Sequence, residues 1–428
     1  MPLKVLVVGA GIAGPAFATL LQHSDPQHTI TVIERFPSLR TNGLQLDLER
    51  EGELVVRKMG LMSAMKDHSI PETGIQLVDS KGRALATMNL GEGAGGVLDI
   101  TTECEIMRGD IVKVLYEAGL KYREKLNGQA TGRKNEGGLS YEFGTTIAEL
   151  EQNGDGVDVM FTGGKKERYD LVVAADGQGS RTRRLVFGAE QSDAAFKSLG
   201  WHTAIFTTPR VLGESGLAKA SWAAKKRGFM LRNGDRPRTQ VYLFNQGDGE
   251  RLKKAHGGPL EKQKEAWAEA FKDIGWQQDR IVTGLKAADD FYAHEIGQVK
   301  MSQLHKNRVV LLGDAAYCPS VFTGQGTTTT LFGSYVLAGE IARHANNLPT
   351  ALEEYERVVR PKVTQWQQVP SSINGWFPSS HFGVWVVNTL IWAAFKLKID
   401  RLFSYFGSAG NQEKYAIPDY PELKLDDA

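Results

Sequence analysis

The stretch KVLVVGAGIAGPAFATLL, residues 4–21, runs from an apolar segment through a glycine turn straight into a helical pattern. Residues 4–8 read as a buried parallel strand. Gly9, Gly11 and Gly14 form the turn, and Pro15 falls in the first turn of the helix, where a missing N–H costs little. A second strand pattern, TITVIE, follows and ends on Glu34-Arg35, so that Glu34 stands 20 residues past Gly14. Strand, turn, helix, second strand and acid together make a dinucleotide-binding context. Gly9 permits the tight turn, Gly11 lets backbone N–H groups approach a pyrophosphate, Gly14 allows helix and strand to pack closely, and Glu34 accepts bonds from a ribose. An adenine dinucleotide is expected here, with Ala13 and Arg35 beside it.

The rest of the composition narrows the class. The chain has 428 residues, 41% hydrophobic and 24% charged, enough for two or three domains without covalent staples. A net charge of +1 gives no broad field for nucleic acid. Two cysteines, Cys104 and Cys318, are too few for a disulfide framework and fit a reduced, cytoplasmic setting. The N-terminal apolar run resembles a secretory signal only superficially, because glycines and Pro15 interrupt it and a strand pattern resumes soon after. No run reaches the ~18–20 apolar residues of a transmembrane helix.

A second glycine run, Gly91 to Gly96, precedes the strand pattern VLDIT rather than a helix, so it reads as a loop. Two later segments are more informative. ERYDLVVAADGQGSRTR (167–183) places Asp176-Gly177 between a strand and a helix start, a pattern that turn chemistry alone also produces. RVVLLGDAAYCPSVFTGQGTTTT (308–330) delivers Asp314 at a strand's carboxyl end, where open α/β sheets bind ligands. Gly324 and Gly326 then open a threonine-rich helix, whose free N–H groups and positive dipole end suit an electron-rich ring. A cofactor longer than NAD needs such a second hold, which points to FAD, bound non-covalently.

The order GAGIAG, DLVVAADGQGSRTR, VVLLGDAAYCPSVFTGQG resembles the class A flavoprotein monooxygenases, the para-hydroxybenzoate hydroxylase fold. Within that class the chain is most similar to the tetracycline-inactivating branch and to related microbial and fungal natural-product hydroxylases. NGLQLDLEREGELVVRKMGL (42–61) and CEIMRGDIVKVLYE (104–117) carry the further likeness. The resemblance implies Glu34 on the adenosine ribose, Asp47 and Arg108 on the flavin, Asp314 on the ribityl chain, and Arg40 on the nicotinamide co-substrate, NADPH. Gln45 is a further flavin candidate. An exposed salt bridge is the commoner fate of a lone arginine, and Arg108, at a helix start, is the firmer of the two. Where the family often has His after GDAA, this chain has Tyr317.

The implied fold is α/β, a Rossmann-like FAD-binding domain (1–70, 100–190, 290–345) interleaved with an antiparallel-sheet substrate domain (71–99, 191–289), with C-terminal helices (346–428) bridging the two. The alternating runs TGIQLVDS, GRALATMNL, FMLRN and TQVYLF supply the second sheet. Trp201, His202, Phe229, Tyr242 and Phe244 are candidate cavity liners, although core packing is the more frequent fate of such residues. No metal-ligand spacing or hydrolase triad competes. The implied reaction passes one oxygen atom of O₂, through a flavin hydroperoxide, to an aromatic or polycyclic hydrophobic small molecule, and His202 and Tyr317 are the candidates for a general base. Two other readings are a flavin halogenase, disfavoured because its Trp-x-Trp-x-Ile-Pro signature is missing, and a flavoprotein without net oxidation, a cyclase or scaffold. Within the run 381–407, residues 384–397 are apolar on nearly every face and must be covered. The seam between the two domains is the expected cover, ahead of a membrane surface or a partner subunit.

Overall fold

The computed structural model describes residues 1–41, 43–48, 50–89, 105–128, 137–233, 236–369, 377–397 and 415–425. The second glycine run, Gly91 to Gly96, and residues 398–407 of the C-terminal run lie outside them.

Lys4–Val8 sits inside a six-stranded sheet ordered His305–Lys306, Val309–Leu311, Leu171–Ala174, Lys4–Val8, Thr29–Glu34, Gly138–Phe143. All neighbours pair in parallel except the first two. Leu171–Ala174 and Val309–Leu311 are apolar throughout, as is Lys4–Val8 beyond Lys4, because helices and the antiparallel strands Gly156–Phe161 and Lys166–Tyr169 pack over them. Helix Ala13–Ser24 leaves the glycine turn and packs against helix Arg108–Gly128 and the threonine-rich helix Gly326–Arg343. Gly119 is the contact point on the Arg108 helix, since a Cβ there would stand 2.7 Å from the Thr19 hydroxyl. A separate antiparallel meander, Ile147–Asn153, Gly156–Phe161 and Lys166–Tyr169, precedes the Asp176 strand.

The second layer is a seven-stranded sheet ordered Tyr292–Val299, Phe196–Pro209, Arg238–Asn245, Arg227–Arg232, Leu217–Ala223, Gly74–Val78, Ala84–Asn89. Tyr292–Val299 pairs with Phe196–Pro209, so a strand expected in the FAD-binding domain belongs to this sheet. One face carries helices Gly249–His256, Leu260–Ala270 and Gln278–Ala287 around Trp267, Phe271, Phe206, Phe229 and Leu243. The other face turns toward the FAD-binding sheet. A two-stranded ribbon, Gln45–Asp47 with Glu105–Met107, bridges the layers.

The terminal helix, His381–Lys396, departs from expectation. Its main neighbours are Ala84–Asn89 and Leu217–Ala223, both strands of the seven-stranded sheet. Val384 is its buried residue, whereas Phe382 is 72% and Trp385 61% exposed. Apolar residues surround its whole circumference, so a single line of contact covers only part of them. No helix among the described residues is long and apolar enough to cross a membrane.

Residues 415–425 instead return to the FAD-binding side. The Tyr420 ring fills the space that Gly339 leaves open, a Cβ there meeting it at 2.3 Å. Its hydroxyl donates to Glu340 Oε1 at 2.6 Å, and Tyr335 donates to the Pro418 carbonyl at 3.0 Å. Tyr420→Phe keeps the ring and removes the donor to a buried carboxyl group, so chemical denaturation should show a loss of about 1.5–3 kcal/mol.

Candidate functional site

Val8 pairs with Ala174, and Ala174 with Leu311, so three strands end at one level. Gly9, Asp176 and Asp314 lie just past those ends. Gly9 has φ +111° and a Cβ there would meet the Ala175 carbonyl oxygen at 2.5 Å; at Gly14 it would meet the Gly9 oxygen at 2.0 Å. Backbone lies on both approaches, so no side chain can yield, and glycine is required.

Arg108 closes the turn from above. Its Nη2 stands 3.1 Å from where a Gly11 Cβ would be, and its stem packs on Gly43. Burial lowers its pKa and repulsion from Arg40 lowers it further, while Asp314, Tyr292 and Glu34 raise it. Asp314 carries the mirror pattern: burial raises its pKa and Arg108 pulls it back. These five residues share one electrostatic neighbourhood at the mouth of the strand ends. Glu34 also stitches the turn, accepting from Ala10 N–H at 3.0 Å and Phe36 N–H at 3.1 Å. Arg35 is exposed and lies over the Phe36 ring, and Arg40 lies over both Phe36 (4.4 Å) and Tyr292 (5.8 Å).

The loop after Asp314 is strained and braced. Ser320, buried, holds φ +85° and ψ 148°, a region that non-glycine residues rarely occupy. Gln298 Nε2 donates to the Pro319 and Gln367 carbonyls at 2.9 and 2.7 Å, and Gln367 Nε2 donates to those of Val299 and Cys318 at 2.7 and 3.2 Å. Arg183 ties the loops after Asp176 and Asp314 together through Ala315 O and Gln178 O, each at 2.9 Å. Sequence reading missed Arg183. The signal was available, because Ser180 caps the helix and sets Arg183 inward while Arg181 stays exposed.

Several expected residues have other partners in the fold. The Asp176 carboxylate caps its own helix, accepting from Thr182 N–H and Oγ1 at 3.0 Å each. Gln45 lies at the junction of the layers, accepting from Gln240 Nε2 at 3.0 Å, with Asp47 beside Glu105 on the same ribbon. Tyr317 points into the core: its hydroxyl meets Tyr355 at 3.0 Å, in space that Gly333 leaves open. His202 faces the helical side of the seven-stranded sheet, its ring 5.1 Å from that of His256, and Phe229 faces the same way. Neither candidate general base therefore reaches the strand ends. Trp201, Tyr242 and Phe244 do face the FAD-binding side, where Trp201 meets Phe322 at 5.9 Å and Phe377 at 4.3 Å, and Phe244 meets Phe322 at 6.3 Å.

An FAD binding domain family model matches residues 2–369 of this chain. FAD-dependent monooxygenase asL6 of Sarocladium schorii is 42% identical over 430 residues, covering 100% of both chains. The chain belongs to the FAD-dependent monooxygenases. Flavin-dependent monooxygenase eupH of a Phoma species is 33% identical over 439 residues, covering 98% of each chain. The crystal structure of tetracycline destructase Tet(51) superimposes with a TM-score of 0.75 at 25% identity, covering 98% of this chain and 100% of that one.

The residues of this monooxygenase fit its cofactor. A Cβ added at Gly177, Gly179, Gly324 or Gly326 would meet nothing within 4 Å, so the loops flanking the strand ends border open space. Gln325 Oε1, at the head of the threonine helix, is buried without a partner among the described residues. We assign the diphosphate to the Gly9–Gly14 turn, and the flavin end to Arg108, Asp314 and the Gly324–Gly326 helix start. Asp314→Ala removes a charge-assisted acceptor worth about 1.5–3 kcal/mol. Equilibrium titration should then show FAD affinity lowered roughly tenfold to over a hundredfold.

Proposed function

We propose that this monooxygenase inserts one oxygen atom of O₂ into an aromatic or polycyclic hydrophobic small molecule, with NADPH as reductant. The observation that carries the reading is the aromatic wall of Trp201, Phe244, Phe322 and Phe377, part of which, Phe322, belongs to the loop leading into Gly324 and Gly326. Flat apolar rings suit such a wall because offset and edge-on contacts between rings are favourable. FAD, when bound, supplies oxygen activation; the protein orients the substrate and keeps water from the reacting centre. A cleft of about 370 Å³ opens between Thr41, Gly43 and Met107 on one side and Asn233, Arg238 and Gln240 on the other, beside the stem of Arg108. It offers a small molecule a route between the layers.

Arg40 is the residue we assign to NADPH. The Phe36 and Tyr292 rings hold its guanidinium at the edge of the site, and Tyr292 is 48% exposed. A guanidinium fixed in plane suits phosphate recognition. Arg40→Ala should raise the KM for NADPH several-fold while FAD content stays at the parent level. Loss of flavin in that variant would place Arg40 in the FAD site instead, and equal use of NADH by the parent enzyme would remove the phosphate assignment.

The reading as a whole is tested by screening aromatic and polycyclic compounds for stimulated NADPH oxidation and weighing the products. A gain of one oxygen atom is expected. Stimulated turnover whose product shows no mass gain would refute it.

A further inference from the structure

Three buried charged side chains meet where the ribbon touches the seven-stranded sheet. Arg232 grips Glu72 with both ends of its fork, Nε to Oε2 at 2.9 Å and Nη2 to Oε1 at 2.8 Å. The same Nη2 also donates to Glu105 Oε2, which accepts from Gln45 Nε2 as well. Side-chain exposure is 8% for Arg232 and 1% for each glutamate. Gln45 Nε2 reaches Glu72 at 3.3 Å, and Tyr242 donates to Gln240 while accepting from the Gln45 backbone N–H at 2.9 Å.

The charges here do not balance if every acid is ionised. Arg232 is the cation that contacts the two glutamates, Glu72 already occupies its fork, and Asp47 lies across the ribbon from Glu105. Glu105 Oε1 is moreover buried with no partner among the described residues. A buried carboxylate with one orphaned oxygen and two acidic neighbours is costly, and a carboxylic acid in the same place costs much less. The ribbon leads directly to the flavin arginine: Glu105, Ile106 and Met107 precede Arg108, whose N–H donates to the Leu44 carbonyl at 2.8 Å.

We propose that Glu105 is a positioning residue that works as a neutral carboxylic acid, sharing Arg232 with Glu72 to lock the ribbon beneath Arg108 against the substrate sheet, and that its ionisation loosens this lock. The electrostatics of the cluster point the same way. Burial pushes the Glu105 carboxyl up to about 8; Arg232 opposes this, and Glu72 and Asp47 add to it. Tyr242, the remaining titratable neighbour, is pushed up to about 12 by burial and stays a neutral donor.

The sign follows from the two protonation states. From the ordinary value of 4.5 up to about 8, the unfolded chain has released a proton that the folded protein keeps. Stability therefore falls with rising pH across that window and levels above it. Glu105→Gln places an amide N–H₂ where the acid O–H stands and cannot ionise.

The test uses the FAD-loaded protein, following flavin absorbance and thermal midpoint from pH 5 to 9.5. The parent should show a flavin absorbance change centred near pH 8, and E105Q should lack it. The Tm of E105Q relative to the parent should rise between pH 5 and 8 and then level. Glu72→Gln leaves Glu105 as the partner that Arg232 retains in the cluster, so its transition should move down by about one unit or more. The proposal fails if E105Q retains the parent's transition, or if E105Q loses flavin equally at pH 6.5 and pH 9. It also fails if Glu72→Gln leaves the midpoint where it was.

Discussion

Parallel hydrogen bonding carries Val8, Ala174 and Leu311 to one level of the central sheet, with Ala175 N–H donating to Val8 O and Leu312 N–H to Ala174 O, each at 2.9 Å. Three loops far apart in sequence are thereby compelled to begin side by side. The turn at Gly9, the helix cap at Asp176 and the bend at Gly313 each have their own local chemistry. Register alone turns them into one site. A slip of one residue in either pairing would reverse the direction of every side chain in the strand and separate the loops.

The loops are then fixed by bonds that originate outside them. Arg183 spans two of them, and Gln298 and Gln367 brace the segment around Ser320, whose backbone is held in an unfavourable region. Such strain persists only where the surroundings over-determine the conformation. Here the bracing glutamines come from the seven-stranded sheet and from just past helix Leu348–Trp366, so the loop that leads to Gly324 is shaped by both layers.

What was legible in the sequence was local. Gly9, Gly14 and Asp314 announce themselves because turns and strand ends restrict residue type within a few positions. The facing of the substrate sheet was not legible. A bulge between Ser198 and Trp201 resets the alternation of the long strand, so Trp201 turns to the FAD-binding side and His202 to the helices, which no count from the strand's start foretells. Tyr317 follows GDAA, yet its direction depends on Gly333, a residue of another helix. Nothing local in the sequence marks Glu72, Glu105 and Arg232 as partners, and only tertiary pairing explains their burial. The terminal helix was recognised as apolar, but pattern alone carries no information about what lies beside it.

The interleaving of the two sheets has a consequence for how the chain is made. Leu171–Ala174 gains its outer neighbour, Val309–Leu311, only after the strands between Phe196 and Val299 have been synthesised, and these belong to the other layer. On the ribosome the nascent FAD-binding sheet must therefore wait with one apolar parallel edge unpaired while its companion layer is translated. Neither layer is a contiguous stretch of polypeptide, so no single segment cut from the chain carries a whole layer.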